Sequence, residues 1–309
     1  MAPHAHEHHA AEHDTSAHDA SEHGEPFVAE LLDLEGEVLH AHLTEVTGRL
    51  ADLTAESAED RPVRRILDLG SGTGTGTFAL LRRFEDAEAI AVDASPRLLQ
   101  HLRGRARELG VADRVRTVEA DLDAAWPDFG GVDLVWAAGA LHHMSDPDRA
   151  LREAFAALAP GGLLAVIEMA GVPYFLPHDL GIGRPGLEAR CRAALASVHA
   201  ETMPHLGADW GPLLSRAGFT DEAERPYTVE LVPPLPAATG RYARAVLGRM
   251  RTALDGRADA DDLATLDALI DSDGPHSVLH RDDLAVRTER TVWTARRQPL
   301  AVGRERRQP

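Results

Sequence analysis

The chain has 309 residues, 44% of them hydrophobic, with a formal net charge of −18, which is enough apolar material for a core in one main domain. No run approaches the roughly 18 uninterrupted apolar residues of a membrane span, and the N-terminus lacks the apolar stretch of a signal peptide, so a soluble, cytoplasmic protein is expected. The acidic surface repels phosphate backbones and argues against nucleic acid as a partner, while the single cysteine, Cys191, excludes a disulfide framework or a Cys-based zinc site.

In chain order, residues 1–25 hold His, Ala, Glu, Asp and Ser with hardly a large apolar residue, and read as a disordered acidic tail. Seven of its first 23 residues are His, including His4, His6, His8, His9 and His13. Imidazoles at that density chelate divalent zinc, nickel or copper loosely, an incidental property of a solvated tail. Residues 26–60 form a helical extension, with Leu39, Leu43, Val46, Leu50 and Leu53 at helical spacing and Gly36 as the break between two helices. This extension is expected to pack on the edge of the main domain or over its ligand.

The main domain spans residues 61–297. Its strands and helices alternate, which argues for a parallel sheet covered on both faces. Strands are expected at Arg65 to Leu69, Ala89 to Val92, Val115 to Ala120, Val132 to Ala137 and Leu163 to Ile167. Ser95-Pro96 and Asp146-Pro147 each read as an N-cap followed by proline at the first helical position. Gly110 closes the first of these helices, and Pro160-Gly-Gly162 is a turn. Residues 171–206 look like a lid containing one helix, in which Cys191 reads as a buried small hydrophobe. A helix from about Asp209 stops at Gly218, and a strand near Thr228 to Val232 follows. Two helices, Thr239 to Leu254 and Ala260 to Ile270, form a second insertion (residues 239–272) before a last strand at Thr288 to Ala295. The Arg-rich stretch from Arg296 is expected to be solvated and ends in a basic tail, residues 298–309.

The run Arg65-Ile-Leu-Asp-Leu-Gly-Ser-Gly-Thr-Gly-Thr-Gly-Thr77 is a strand emptying into alternate glycines and then a helix. Gly70, Gly72 and Gly74 let a ligand approach the backbone, and the helix N-terminus offers N–H groups to an anionic group. Neither the register from Gly70 nor that from Gly72 completes G-x-G-x-x-G, because Thr75 and Thr77 occupy the last place; a plain NAD fingerprint is therefore disfavoured. Asp93 lies 23 residues after Gly70, near the offset at which an acidic residue meets a ribose in nucleotide folds, and equally suits the N-terminus of the following helix.

The pattern G-x-G-x-G after Asp68 resembles the first motif of the class I S-adenosylmethionine (SAM) methyltransferases. The resemblance covers residues 64–170 and includes Val132-Asp-Leu-Val-Trp-Ala-Ala-Gly-Ala-Leu-His-His-Met144 and Leu158-Ala-Pro-Gly-Gly162. It implies a Rossmann-like α/β fold with a seven-stranded sheet, helices on both faces, and a last strand that is antiparallel beside the fifth. It also implies SAM as cofactor. Asp68, Gly70, Ser71, Gly72 and Gly74 would hold its methionine part, Asp93 and Ala94 the ribose, Asp121 and Leu122 the adenine, and Ala137 to Leu141 the sulfonium end.

Methyl transfer is an in-line displacement at an activated carbon, so positioning and exclusion of water carry much of the catalysis, and a base helps where the acceptor loses a proton. His142 and His143 lie where such folds bind ligands and either act as base or shape the pocket. Glu168 either faces the acceptor or caps a loop, and Tyr174, His178 and His205 are weaker candidates. No catalytic metal is expected. The place of the Asn/Asp-Pro-Pro-Tyr/Phe motif of adenine and glutamine methyltransferases is taken by Ala137-Ala-Gly-Ala140, leaving a small-molecule acceptor methylated on O or N. The rival readings are a non-catalytic SAM-binding protein, a metal-binding interaction protein using the His-rich tail and, least favoured, an NAD-linked oxidoreductase.

Overall fold

The structure, a computed structural model, describes residues 28–56 and 62–298. The expectations for the His-rich tail and for residues 299–309 lie outside the described residues. Seven strands form one sheet: β1 (Arg65–Leu69), β2 (Glu88–Asp93), β3 (Val115–Glu119), β4 (Val132–Ala138), β5 (Leu158–Met169), β6 (Thr220–Leu231) and β7 (Val286–Arg296). Their order is β3-β2-β1-β4-β5-β7-β6. Strands β1 to β5 pair in parallel, and β7 runs antiparallel between β5 and β6, as the resemblance implies.

The period-two alternation of a strand decides which side chains meet the site. On β1 and β4, Leu67, Leu69, Val135 and Ala137 face a core shared with Leu151 of α5 (Pro147–Ala157) and Leu214 of α7 (Gly211–Ala217). Ile66, Leu134 and Trp136 face the opposite core, with Val46 and Leu50 of α2 (His40–Ala55) and Leu80 of α3 (Thr75–Arg83). Helix α4 (Pro96–Glu108) starts as expected: the Ser95 hydroxyl accepts the Leu98 N–H at 3.2 Å and Pro96 is the first helical residue. Asp146 caps α5 in the same way, accepting the Arg149 N–H at 2.9 Å.

The two insertions and the N-terminal extension build a third core together. Leu31, Leu34 and Val38 of α1 (residues 28–38), Leu187, Cys191 and Leu195 of α6 (Leu187–Thr202), Tyr242 and Leu247 of α8 (Thr239–Ala253), and Leu266 of α9 (Ala260–Ile270) pack into one cluster. Cys191 is a buried hydrophobe there, and burial pushes its thiol up to about 11. Among the described residues no helix is long and apolar enough to cross a membrane.

Four local expectations are corrected. Gly36 does not break the extension; it lies inside α1, and the irregularity falls at Leu39 (φ −97°, ψ 17°). A Cβ at Gly36 would meet the Thr75 side chain at 2.5 Å, so this glycine serves a close approach of α1 to the glycine loop. Pro160-Gly-Gly162 is absorbed into β5 as an irregularity, where Gly161 donates to the Arg297 carbonyl and Arg297 donates to the Gly162 carbonyl. Strand β6 begins at Thr220, eight residues before the expected start; it is an edge strand, and edges favour polar residues and tolerate proline, here Pro226. Arg296 and Arg297 are not solvated: Arg296 bonds the Leu53 carbonyl, and Arg297 bonds the carbonyls of Phe155, Ala156 and Leu158.

Candidate functional site

A cleft of about 620 Å³ opens at the C-terminal ends of β1, β2 and β4 and is roofed by α1 and α2. Its floor is the glycine loop. Gly70 (φ +67°) and Gly72 (φ +53°) hold left-handed backbone that disfavours other residues. An added Cβ would meet Ala140 at 2.7 Å or Leu32 of α1 at 2.9 Å. Three of the loop's N–H groups are committed within the protein: Ser71 donates to the Val92 carbonyl at 2.9 Å, Gly72 to the Asp93 carboxylate at 2.8 Å and Gly74 to the Ser71 carbonyl at 2.9 Å. The Ser71 hydroxyl is buried on the cleft wall without a hydrogen-bond partner among the described residues, an atom suited to a polar ligand group.

Asp93 serves the start of the helix that follows it and also lines the cleft. One carboxylate oxygen accepts the Gly72 N–H, the other accepts the Ser95 N–H at 2.9 Å, and the group still lines the cleft. Ala94, Asp121 and Leu122 continue this wall. Asp121 accepts the Asp123 N–H at 2.9 Å, closing a turn that presents Leu122. Asp68 lies beneath the loop, accepting the Thr77 hydroxyl at 2.5 Å. Burial pushes its pKa up from 3.8 to about 7; the Thr77 bond opposes this shift and the Asp93 charge adds to it.

The residues that follow β4 divide by side. His143 lines the cleft, whereas His142 is turned inward, its ring 4.1 Å from that of His143. Glu168 holds this arrangement. Its carboxylate meets His142 Nδ1 at 2.5 Å and accepts the N–H groups of Leu141 at 2.9 Å and His142 at 3.4 Å. Burial pushes the His143 pKa down, followed by the charges of His142 and, more weakly, Arg249, with Glu168 opposing. His143 is thus neutral over the ordinary range and able to accept a proton.

Several expected contacts are not on the cleft. Glu168 and His142 are buried behind it, with 3% and 5% of their surface exposed. Ala137 falls on the α5 face by strand alternation, and Leu141 joins the same core. Gly74 caps α3, where a Cβ would meet Leu102 at 2.7 Å and Phe78 at 2.8 Å, so it serves helix packing. Tyr174 bridges to Arg287 and stacks under Arg192 at 3.5 Å; neither it nor His178 nor His205 lines the cleft. Gly76 does line it, and a Cβ there would meet the Trp136 indole at 2.5 Å.

Sequence reasoning gave the extension either the domain edge or the roof of the ligand site, and it missed the polar residues of the far wall. Glu35 of α1 pairs with Arg290 of β7, which is only 6% exposed. His42 of α2 lines the cleft beside them, edge-on to Tyr227 at 5.0 Å, its Nε2 buried without a partner. Burial and the Arg290 charge push its pKa down. Leu39, Leu43, Val46, Trp136, Ile167 and Met169 make this half apolar. The available signal was the i, i+3, i+4, i+7 pattern of Leu39, His42, Leu43 and Val46, which places one imidazole on an otherwise apolar helix face.

Comparison with known proteins bears on the floor of this cleft. Residues 66–162 match the family model described as a methyltransferase domain. The 27-O-demethylrifamycin SV methyltransferase of Amycolatopsis mediterranei is 36% identical over 155 residues, covering 47% of this chain and 56% of that protein. The demethylmenaquinone methyltransferase of Thermus thermophilus is 38% identical over 126 residues, covering 40% of this chain and 54% of that protein. The chain therefore matches about half the length of these relatives. A crystal structure of a candidate methyltransferase from Bacillus halodurans shares the fold, with a TM-score of 0.51 and 16% identity, over 82% of this chain and 98% of that one.

Proposed function

We propose, from the premise that this chain belongs to the class I SAM-dependent methyltransferase family, that it transfers the methyl group of SAM to an oxygen or nitrogen atom of a small organic acceptor. The observation that carries this reading is that Asp93, at the end of β2, and His143, after β4, face one cleft whose donor wall is polar and whose far wall is apolar.

The residues present fit the cofactor. The unpartnered Ser71 hydroxyl and the glycine backbone at Gly70 and Gly72 suit its methionine part. Asp93, beside Ala94, has lone pairs left for a ribose diol, and Asp121 and Leu122 suit an adenine amino group and ring face. When bound, SAM would supply a methyl group whose carbon is made electron-poor by its bond to the sulfonium sulfur. His143 takes the proton released when a hydroxyl or protonated amine acceptor is methylated. His142 and Glu168 orient His143 from behind, and Ala137 and Leu141 support the turn that carries it. Helices α1 and α2 exclude water from above, which strengthens every polar contact inside. The size of the cleft, about 620 Å³, suits a small-molecule acceptor.

The test is transfer of isotopically labelled methyl from SAM to a panel of phenols, alcohols and amines, with release of S-adenosylhomocysteine (SAH). Label in an O- or N-nucleophile is expected, falling about 10²–10⁴-fold in His143→Ala with SAH affinity retained. Tight SAM binding without transfer to any acceptor would overturn the reading in favour of a non-catalytic SAM-binding protein.

A further inference from the structure

Helix α8 carries four arginines. Arg241 pairs with Glu37 at 3.9 Å, Arg244 donates to the Ile270 carbonyl at 3.0 Å, and Arg251 pairs with Asp255 at 3.1 Å and Asp267 at 2.8 Å. Arg249 alone among them makes no ion pair or hydrogen bond with the described residues, and it alone lines the cleft. Tyr242, Val246 and Arg249 stand at i, i+4 and i+7, so the guanidinium ends a stripe that is otherwise buried in the cap core. Arg249 itself is exposed rather than buried, so its guanidinium is accessible to an anionic ligand group in the cleft.

The cleft's carboxylates do not supply it with a counter-charge. Glu35 is held by Arg290 and Asp123 by Ser145, while Asp68 and Asp93 are tied to the glycine-loop side by Thr77, Gly72 and Ser95. Asp121 sits with the adenine wall. The other groups around Arg249 are His143 and His199, each of which feels its positive charge, and neither can neutralise it. In a chain of net charge −18, this is an exposed positive spot beside the apolar side chains of the cleft, where an anionic group on a ligand can pair with it.

We propose that Arg249 is a specificity-determining residue that anchors a carboxylate on the methyl acceptor, whose apolar body lies against Leu43, Trp136 and Met169. The guanidinium fork matches a carboxylate with two parallel N–H···O bonds. This rests on the methyltransferase reading and adds the acceptor's class: an apolar acid, with the methylated oxygen or nitrogen presented to His143.

The experiment titrates the SAH-saturated protein calorimetrically with 2-naphthoate and with its neutral isostere 2-naphthamide. Naphthoate is expected to bind at least ~10-fold tighter than the amide, the preference shrinking to within about 2-fold in Arg249→Gln and largely surviving in Arg249→Lys. SAH affinity, which also reports folding, should be the same in all three proteins. Equal affinities in the wild type, no naphthoate binding at millimolar concentration, or a preference unchanged in Arg249→Gln would overturn the proposal. So would a ~10-fold loss of SAH affinity in Arg249→Gln, which would assign the arginine to the donor's own carboxylate. If the wild type binds no SAH, the methyltransferase reading fails, and the naphthoate preference measured on the free protein still tests Arg249.

Discussion

The two walls of the cleft are built by opposite strategies. The donor wall comes from a short stretch of chain: the Gly72–Asp93 contact spans 21 residues and Asp68–Thr77 spans nine. The acceptor wall is assembled across nearly the whole chain, with Arg290 meeting Glu35 at a separation of 255 residues. A ligand group common to a family can be held by a local motif. A variable ligand is met by side chains that share a wall only after the cap has folded, and these can change without disturbing the loop below.

The largest effect should come from the buried joint between the walls. Glu168→Ala removes the acceptor of two N–H groups and the partner of His142, an expected loss of about 3–5 kcal/mol in urea unfolding. Unchanged stability with lost transfer would return Glu168 to the chemistry and erase the distinction drawn between it and His143.

How far each wall was legible follows from the same separations. The five parallel strands, the caps at Ser95 and Asp146, Gly218 after α7 and the inserted antiparallel β7 were legible because each rests on local residue types or on the family's strand order. That Asp93, Asp121 and Leu122 share one cleft wall was legible for the same reason. Ala137 and Leu141 were misplaced because a motif names a stretch of chain, while strand parity decides which of its side chains face the ligand. Glu168 was ambiguous until its carboxylate was seen on the 141–142 backbone. Arg249 and Arg290 carried no local motif, His42 carried only its place on an apolar helix face, and α1 looked broken at Gly36 because the need for that glycine, Thr75, lies 39 residues away.

On the donor wall, Asp68 provides a pH-dependent test. Its pKa is raised to about 7 in the folded protein against 3.8 for the ordinary group, so the folded state binds the proton more tightly than the unfolded chain between those values. Its contribution to stability is therefore most favourable below pH ~4 and is lost as pH rises towards ~7. Between pH 5 and 8, Asp68→Asn should lessen the fall in unfolding free energy by about 2–3 kcal/mol. An identical pH slope in the two proteins would mean that Asp68 ionises normally.

On the acceptor wall, Glu35→Gln leaves the 6%-exposed Arg290 without its carboxylate. The expected cost is about 1–3 kcal/mol in unfolding, with methyl transfer impaired more than SAH binding. An equal loss of both would show that the two walls are not separable.

The central claim is that the glycine loop and Asp93 hold SAM. Calorimetric titration of the purified protein with SAM, SAH and NAD, beside an Asp93→Ala variant, tests it most directly. Binding of SAM and SAH but not NAD, weakened by about 1–3 kcal/mol when the carboxylate is removed, is the expected result; binding of NAD alone, or of none of the three, would contradict it.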